Sequence, residues 1–183
     1  MTRLLLVRHG ESTANLNNVF AGHYDPQLTE LGHRQAECTG RFVLGNYKVS
    51  GIYSSDLHRA FDTAQHFADI AGLAVIPEPR LREIYAGEWE EMSFSEVEQT
   101  YAEDWNRWRV DPANAVCTGG ESVRQLADRV FAAVQEIAKI TRNRLSLWRP
   151  TLLPSKWLCG RSLAATRRPS KISPGCPTHP SRS

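Results

Sequence analysis

No acidic residue follows Glu136 in this 183-residue chain. All 20 Asp and Glu lie at or before that position, against 12 of the 22 Lys and Arg, so residues 1–136 carry a net −8. The other 10 Lys and Arg give residues 137–183 a net +10, and 6 of the 10 prolines fall there too. A shift that abrupt marks a boundary. Cysteine is also scarce. Cys38, Cys117, Cys159 and Cys176 form no CxxC pair and no metal-ligand spacing, which argues against a zinc ribbon or a dithiol redox motif and predicts reduced thiols. Long apolar runs are missing: nothing approaches the roughly 20 residues of a membrane span. The run Leu4–Val7 is short for a signal-peptide core and is cut by Arg8. A cytoplasmic protein without a membrane partner is expected.

What remains is ordinary for a globular domain, with 41% hydrophobic and 23% charged residues. Residues 2–7 read as a buried parallel strand. Residues 12–28 are polar and read as a loop. A helix is expected from Thr29 to about Gly45, with Leu31, Gln35, Cys38, Phe42 and Val43 at helical spacing. A short strand at residues 51–55 runs into a helix capped by Asp56 and ended by Gly72. Another strand is read at residues 74–76. Residues 80–92 are irregular. The boxes Ser93-x-x-Glu96 and Ser122-x-x-Gln125 then open two further helices. The first runs to about Trp108. The second buries Val123, Leu126, Val130, Val134 and Ile137 and fades near Ile140. Strand and helix alternation predicts an α/β three-layer sandwich, with a mostly parallel central sheet and helices on both faces. The domain is read as residues 1–140, and residues 141–183 as a basic Pro/Ser/Arg-rich tail.

Ligands of α/β sheets gather at the carboxyl ends of the strands. The first strand delivers Arg8, His9 and Gly10 there. The second delivers Ser54–Arg59, with Arg59 near a helix N-terminus that itself attracts anions. Two arginines and a histidine suit a phosphate dianion, because the guanidinium fork matches phosphate oxygens. A neutral histidine can attack phosphorus, and a carboxyl group must protonate the leaving alcohol. Glu83 and Glu88, in "LREIYAGEWEE", are the candidates for that acid.

The blocks "VRHGESTAN", "YSSDLHRAFDTA" and "LREIYAGEWEE", in this order from residue 2 to about 140, resemble the histidine phosphatase superfamily, also called phosphoglycerate mutase-like. The RHG triplet alone says little; the three blocks together carry the likeness. The resemblance implies that His9 accepts the phosphoryl group, that Arg8 and Arg59 clamp it, and that Glu83 is the general acid and base. It also implies that Asn15 and Gly22 lie where ligand is contacted. Ala21 stands where the mutases usually have a hydroxyl. The substrate implied is a small phosphorylated molecule, with no metal and no cofactor. "GEWEEMSFSEV" is similar to the phosphatase branch, so phosphomonoester hydrolysis is expected first. A phosphoglycerate mutase and a non-catalytic phosphate- or phosphoprotein-binding module are the alternatives.

Plainer readings apply elsewhere. Glu88, Glu90 and Glu91 read as a solvated acidic turn. His23, His33, His58 and His66 read as loop or helix-surface residues, with His23 nearest in sequence to a pocket-bordering role. Trp105 and Trp108 read as packing. The basic tail has no nucleic-acid-binding fold or regular aromatic interleave, so no nucleic-acid partner is expected. Oligomeric state has no signal in the sequence.

One expected element is missing. The family resemblance calls for a second histidine after one further strand, yet none occurs between His66 and His179. We read a shift of reading frame near residues 140–145 as the cause. Taken from the third base of each codon, "SLWRPT" permits V-A-T-H where the family carries its histidine. Sequencing the coding DNA tests this, and a shifted frame without a histidine-bearing block would refute it. If the chain is translated as written, activity is impaired, a core strand is lost and residues beyond about 145 are poorly ordered.

Overall fold

A computed structural model describes residues 3–141 and 145–147. Among the described residues four parallel strands form the sheet: β1 (Arg3–Leu5), β2 (Gly51–Ser54), β3 (Val75–Pro77) and β4 (Leu145–Leu147). Their spatial order is β1-β4-β2-β3. β4 therefore sits inside the sheet, with Arg3 opposite Leu145 and Ile52 opposite Leu147. A strand does occupy the place expected to be lost, and it lies past the boundary read at residue 140. The frame-shift block beyond Leu147, His179 and the order of the tail lie outside the described residues.

Among the described residues six α-helices accompany the sheet: α1 (Thr13–Asn17), α2 (Glu30–Asn46), α3 (His58–Ala71), α4 (Phe94–Thr100), α5 (Ala102–Val110) and α6 (Val123–Ile140). Successive residues of a strand face opposite ways, and here each face meets its own core. Leu4 and Tyr53 pack with Leu126, Val130 and Ile137 of α6 and with Trp89 and Trp108. Leu5, Ile52 and Val75 pack with Val43 of α2 and with Phe67 and Ala68 of α3. The three-layer sandwich read from the sequence is what the chain forms. None of the helices among the described residues is long and apolar enough to cross a membrane.

Local chemistry explains most element ends. Ser93 and Ser122 each accept from the backbone N–H three residues on, and Glu96 and Gln125 reach back, closing two capping boxes. Gly72 ends α3 in the left-handed conformation, φ +64°. Three readings need correction. Residues 12–28 contain α1, capped by Ser12 and Asn15. The helix opened by Ser93 breaks at Tyr101 into α4 and α5. Asp56 does not cap α3. It pairs with Arg82, while the carboxylate of Asp25, far away in sequence, accepts the His58 N–H at 2.7 Å and so satisfies the helix start.

The buried stripe of α2 is Gly32, Ala36, Gly40 and Val43, and Phe42 points to solvent. Small residues let α2 and α3 approach closely: a Cβ on Gly40 would lie 3.1 Å from Ile70 Cδ1 and 3.6 Å from the Phe67 ring. Trp105 and Trp108 pack in an aromatic cluster with Phe20, Trp89 and Phe94. Cys38 and Cys117 are unpaired thiols, and burial pushes the Cys117 thiol up to about 12.

Candidate active site

β1 ends at Leu5, so Arg8, His9 and Gly10 lie on the loop beyond its carboxyl end. That loop is held from behind by backbone contact. A Cβ on Gly10 would lie 2.2 Å from the Gly32 carbonyl oxygen, and one on Gly32 would lie 2.0 Å from the Glu11 carbonyl oxygen. Glycine is required at both places for space. Hydrogen bonds then fix the loop: Gly10 N–H donates to Thr63 Oγ1 at 3.1 Å, and Glu11 N–H to Gln35 Oε1 at 2.9 Å. Thr29 also donates its hydroxyl to Glu11 Oε1 at 2.8 Å.

His9 is half-buried, and its Nδ1 lies 2.6 Å from the Gly10 carbonyl oxygen. A carbonyl can only accept, so Nδ1 carries the proton. In the neutral ring the lone pair is then on Nε2. Arg8 beside it is exposed. A cavity of about 300 Å³ runs along this loop, lined by Val7, Arg8, His9, Gly10, Gln35 and Thr63 among others. α2 lines it with Gln35, Ala36 and Thr39, and Arg59 and Glu83 are not among its lining residues.

Arg59 enters from the first turn of α3 and is 1% exposed. Its Nη1 donates to Tyr24 O at 2.9 Å and its Nη2 to Gly22 O at 2.8 Å. The same residue's carbonyl accepts from Thr63 Oγ1 at 2.8 Å, so Thr63 links Arg59 to Gly10. Burial lowers the Arg59 pKa, and the negative charges of Glu83, Asp25 and Glu90 oppose that shift. Glu83 is thus the first of the carboxylates acting on this buried cation. Its Oε1 accepts the Ile84 N–H at 3.1 Å.

Asn15 and Gly22 take clear structural roles. Asn15 Oδ1 accepts from Ser12 N–H and from Ser12 Oγ, both at 3.0 Å, as the return half of a capping box. Gly22 is buried with φ +51°, and a Cβ there would lie 2.5 Å from Glu90 Oε1. Glu90, read as a solvated acid, is in fact a loop anchor. It accepts from the backbone N–H groups of His23 and Tyr24 at 2.7 Å each and of Ala86 at 3.2 Å.

The sequence reading also missed the group that shapes residues 80–85. Arg129, on α6, donates to the carbonyls of Arg80 (2.9 Å), Arg82 (2.8 Å) and Glu83 (2.7 Å). Its Nε and Nη2 grip both carboxylate oxygens of Glu121, at 2.7 and 2.8 Å. Glu121 in turn accepts the Tyr85 N–H at 3.0 Å. His23 Nε2 donates to the same Glu83 carbonyl at 3.0 Å, and burial holds its pKa below the ordinary imidazole value. The only signal for Arg129 was a charged residue within a helix whose other face is apolar, which is too common to single it out. Among the described residues no group of three His, Cys, Asp or Glu could hold a metal ion.

The sequence pattern of the histidine phosphatase superfamily (branch 1) matches residues 4–147. Phosphoserine phosphatase 1 of Hydrogenobacter thermophilus is 38% identical over 139 residues, covering 76% of this chain and 65% of that protein. Phosphoglycerate mutase-like protein 4 of Arabidopsis thaliana is 36% identical over 140 residues, covering 73% of this chain and 59% of that protein. Among solved structures, a mycobacterial glucosyl-3-phosphoglycerate phosphatase in complex with VO3 superposes with a TM-score of 0.72 at 31% identity, covering 80% of this chain and 74% of that one. The chain belongs to the histidine phosphatase superfamily, and it spans 59–65% of the length of these two relatives.

Proposed function

We propose that this chain is a phosphomonoester phosphatase that works through a phosphohistidine on His9. The carrying observation is the 2.6 Å contact from His9 Nδ1 to the Gly10 carbonyl, which leaves the nucleophilic lone pair on Nε2. In this reading Nε2 attacks phosphorus and the ester P–O bond breaks as the leaving oxygen takes a proton from Glu83. Water then gives a proton to the Glu83 carboxylate and attacks phosphorus. The P–N bond breaks, inorganic phosphate leaves and His9 is restored. Arg8 neutralises the phosphoryl oxygens directly. Arg59, with two donors committed to Gly22 and Tyr24, contributes its buried positive charge and shapes the wall. Asn15 and Gly22 border the ligand.

The substrate class is a small phosphorylated alcohol; a phosphoserine phosphatase and a glucosyl-3-phosphoglycerate phosphatase among the similar proteins support hydrolysis, while the mutase-like relative keeps isomerisation as the alternative. A cytoplasmic setting belongs to the same reading, in keeping with the unpaired thiols of Cys38 and Cys117. No histidine follows His66 until His179. We therefore expect turnover reduced by about 10²–10³, the effect of losing one transition-state donor in other enzymes. That same absence favours a second reading, a phosphate-binding module.

Rapid quench with 32P-labelled p-nitrophenyl phosphate separates the two. Acid-labile, His9-dependent labelling of the protein supports the phosphatase. Phosphate binding that persists in His9→Ala, with no labelling of the wild type, replaces it with the binder.

A further inference from the structure

Away from the phosphate site, two imidazoles meet across the packing of α2 and α3. His33 Nδ1 and His66 Nε2 lie 3.1 Å apart, with ring centroids 5.3 Å apart and planes at 65°. His33 is exposed and His66 half-buried, so the pair opens to solvent. In a neutral metal-free pair one ring donates N–H to the other. A tautomer shift in that donor ring turns both facing nitrogens into lone-pair donors.

The spacing suits one ion. Two nitrogens each about 2.05 Å from a metal and 3.1 Å from each other subtend about 100° at it, between octahedral and tetrahedral angles. The helices behind them approach closely at Gly40, Phe67 and Ile70, so both rings already stand side by side and little ordering is required on binding. Imidazole nitrogens favour zinc, nickel and copper over magnesium or calcium. Glu37, one turn after His33, is held by Arg41 at 2.7 and 3.1 Å. Among the described residues no third His, Cys, Asp or Glu completes a set, so water fills the remaining positions.

We infer that His33 and His66 form a two-imidazole clamp for a divalent transition-metal ion of the zinc, nickel or copper class, tying α2 to α3. The clamp lies behind the phosphate loop. His33 directly follows Gly32, whose backbone presses on Glu11, and His66 lies one turn after Thr63, which holds Gly10. A bound ion would therefore stiffen the two helices on which the Arg8–His9–Gly10 loop rests, whatever reaction that loop performs.

The test titrates the full chain with nickel, zinc and magnesium chlorides at a pH of about 8, above the ordinary imidazole range. Calorimetry and thermal unfolding are the readouts, with His33→Gln and His66→Gln as variants. Both side chains are at the surface, so both variants should fold. Loss of even an outer-shell partner costs about 10–100-fold in other metal sites. The expected result is one saturable nickel or zinc site that raises the melting temperature, is not filled by magnesium, and weakens by about tenfold or more in each variant. Absence of saturable binding, or binding that survives either substitution, would overturn the clamp.

Discussion

Arg129 Nη2 donates to the carbonyl of Glu83 at 2.7 Å, so a side chain from the middle of α6 sets the backbone of the proposed proton donor. The same guanidinium holds Arg80, Arg82 and Glu121. Substituting Arg129→Leu takes this donor from the carbonyls of Arg80 and Arg82, leaves the Glu83 carbonyl to His23 and leaves the half-buried Glu121 carboxylate to the Tyr85 N–H. Hydrogen bonds to a charged group contribute about 1.5–3 kcal/mol each and are not additive within one network, so a loss of about 3 kcal/mol is expected. Urea unfolding should show a lower midpoint with an unchanged slope. Arg129→Lys should recover only part of it, since an ammonium cannot span the set.

The Gly10 backbone is packed against that of Gly32, and neither can move aside as a flexible side chain would. Gly10→Ala should cost about 3 kcal/mol, the upper end of overpacking in well-packed cores. Adding Gly32→Ala should make matters worse, because its own Cβ meets Glu11. Thermal melts of the single and double variants check both points.

Arg8 and Arg59 should separate cleanly. Arg8 is exposed, so Arg8→Ala should leave stability within about 0.5 kcal/mol while abolishing vanadate binding. Arg59 is buried and satisfies two carbonyls. Arg59→Met should cost roughly 3 kcal/mol or more, at about 1–3 for each buried group left without a partner. Parallel urea curves and vanadate titrations give both quantities.

Acid should weaken the fold in two stages. Arg82 and Arg80 hold the carboxyls of Asp56 and Glu78 below their ordinary values. Burial opposes the same shift at Glu121, but the hydrogen bonds from Arg129 and Tyr85 prevail. The unfolded chain takes up these protons first, so stability rises with pH across that range. The contribution is complete above the ordinary carboxylate values and is lost as pH falls through the lowered ones. His23, lowered by burial, acts with the same sign from 6.5 downward. His58, raised by its hydrogen bond to Asp25, acts in the opposite sense, weakly because it is exposed. Melting temperatures across the acid range should begin to fall below 6.5, and His23→Gln should delay that fall to the carboxylate range.

Much of this fold is written locally. Ser93 with Glu96, and Ser122 with Gln125, announce their helices because a capping box closes within four residues. The Arg8–Gly10 triplet is legible because its chemistry needs adjacent residues. What escaped the reading depends on distance. Arg129 finds its carbonyls 46 to 49 residues back, and Asp25 serves a helix that starts 33 residues later. The buried face of α2 escaped because Gly32, Ala36 and Gly40 bury by being small, not by being greasy. β4 escaped because three residues are too few to display a period.

The position of β4 bears on how the chain assembles. β1 precedes every other described strand in the chain, yet its described partner in the sheet is the strand that begins at Leu145. Closing a loop of that length carries an entropic cost before any contact is gained, and folds dominated by such distant pairings form slowly. β1 therefore gains this sheet neighbour only after the helices that flank the sheet have been synthesised, and until then its backbone on that side has no strand to pair with.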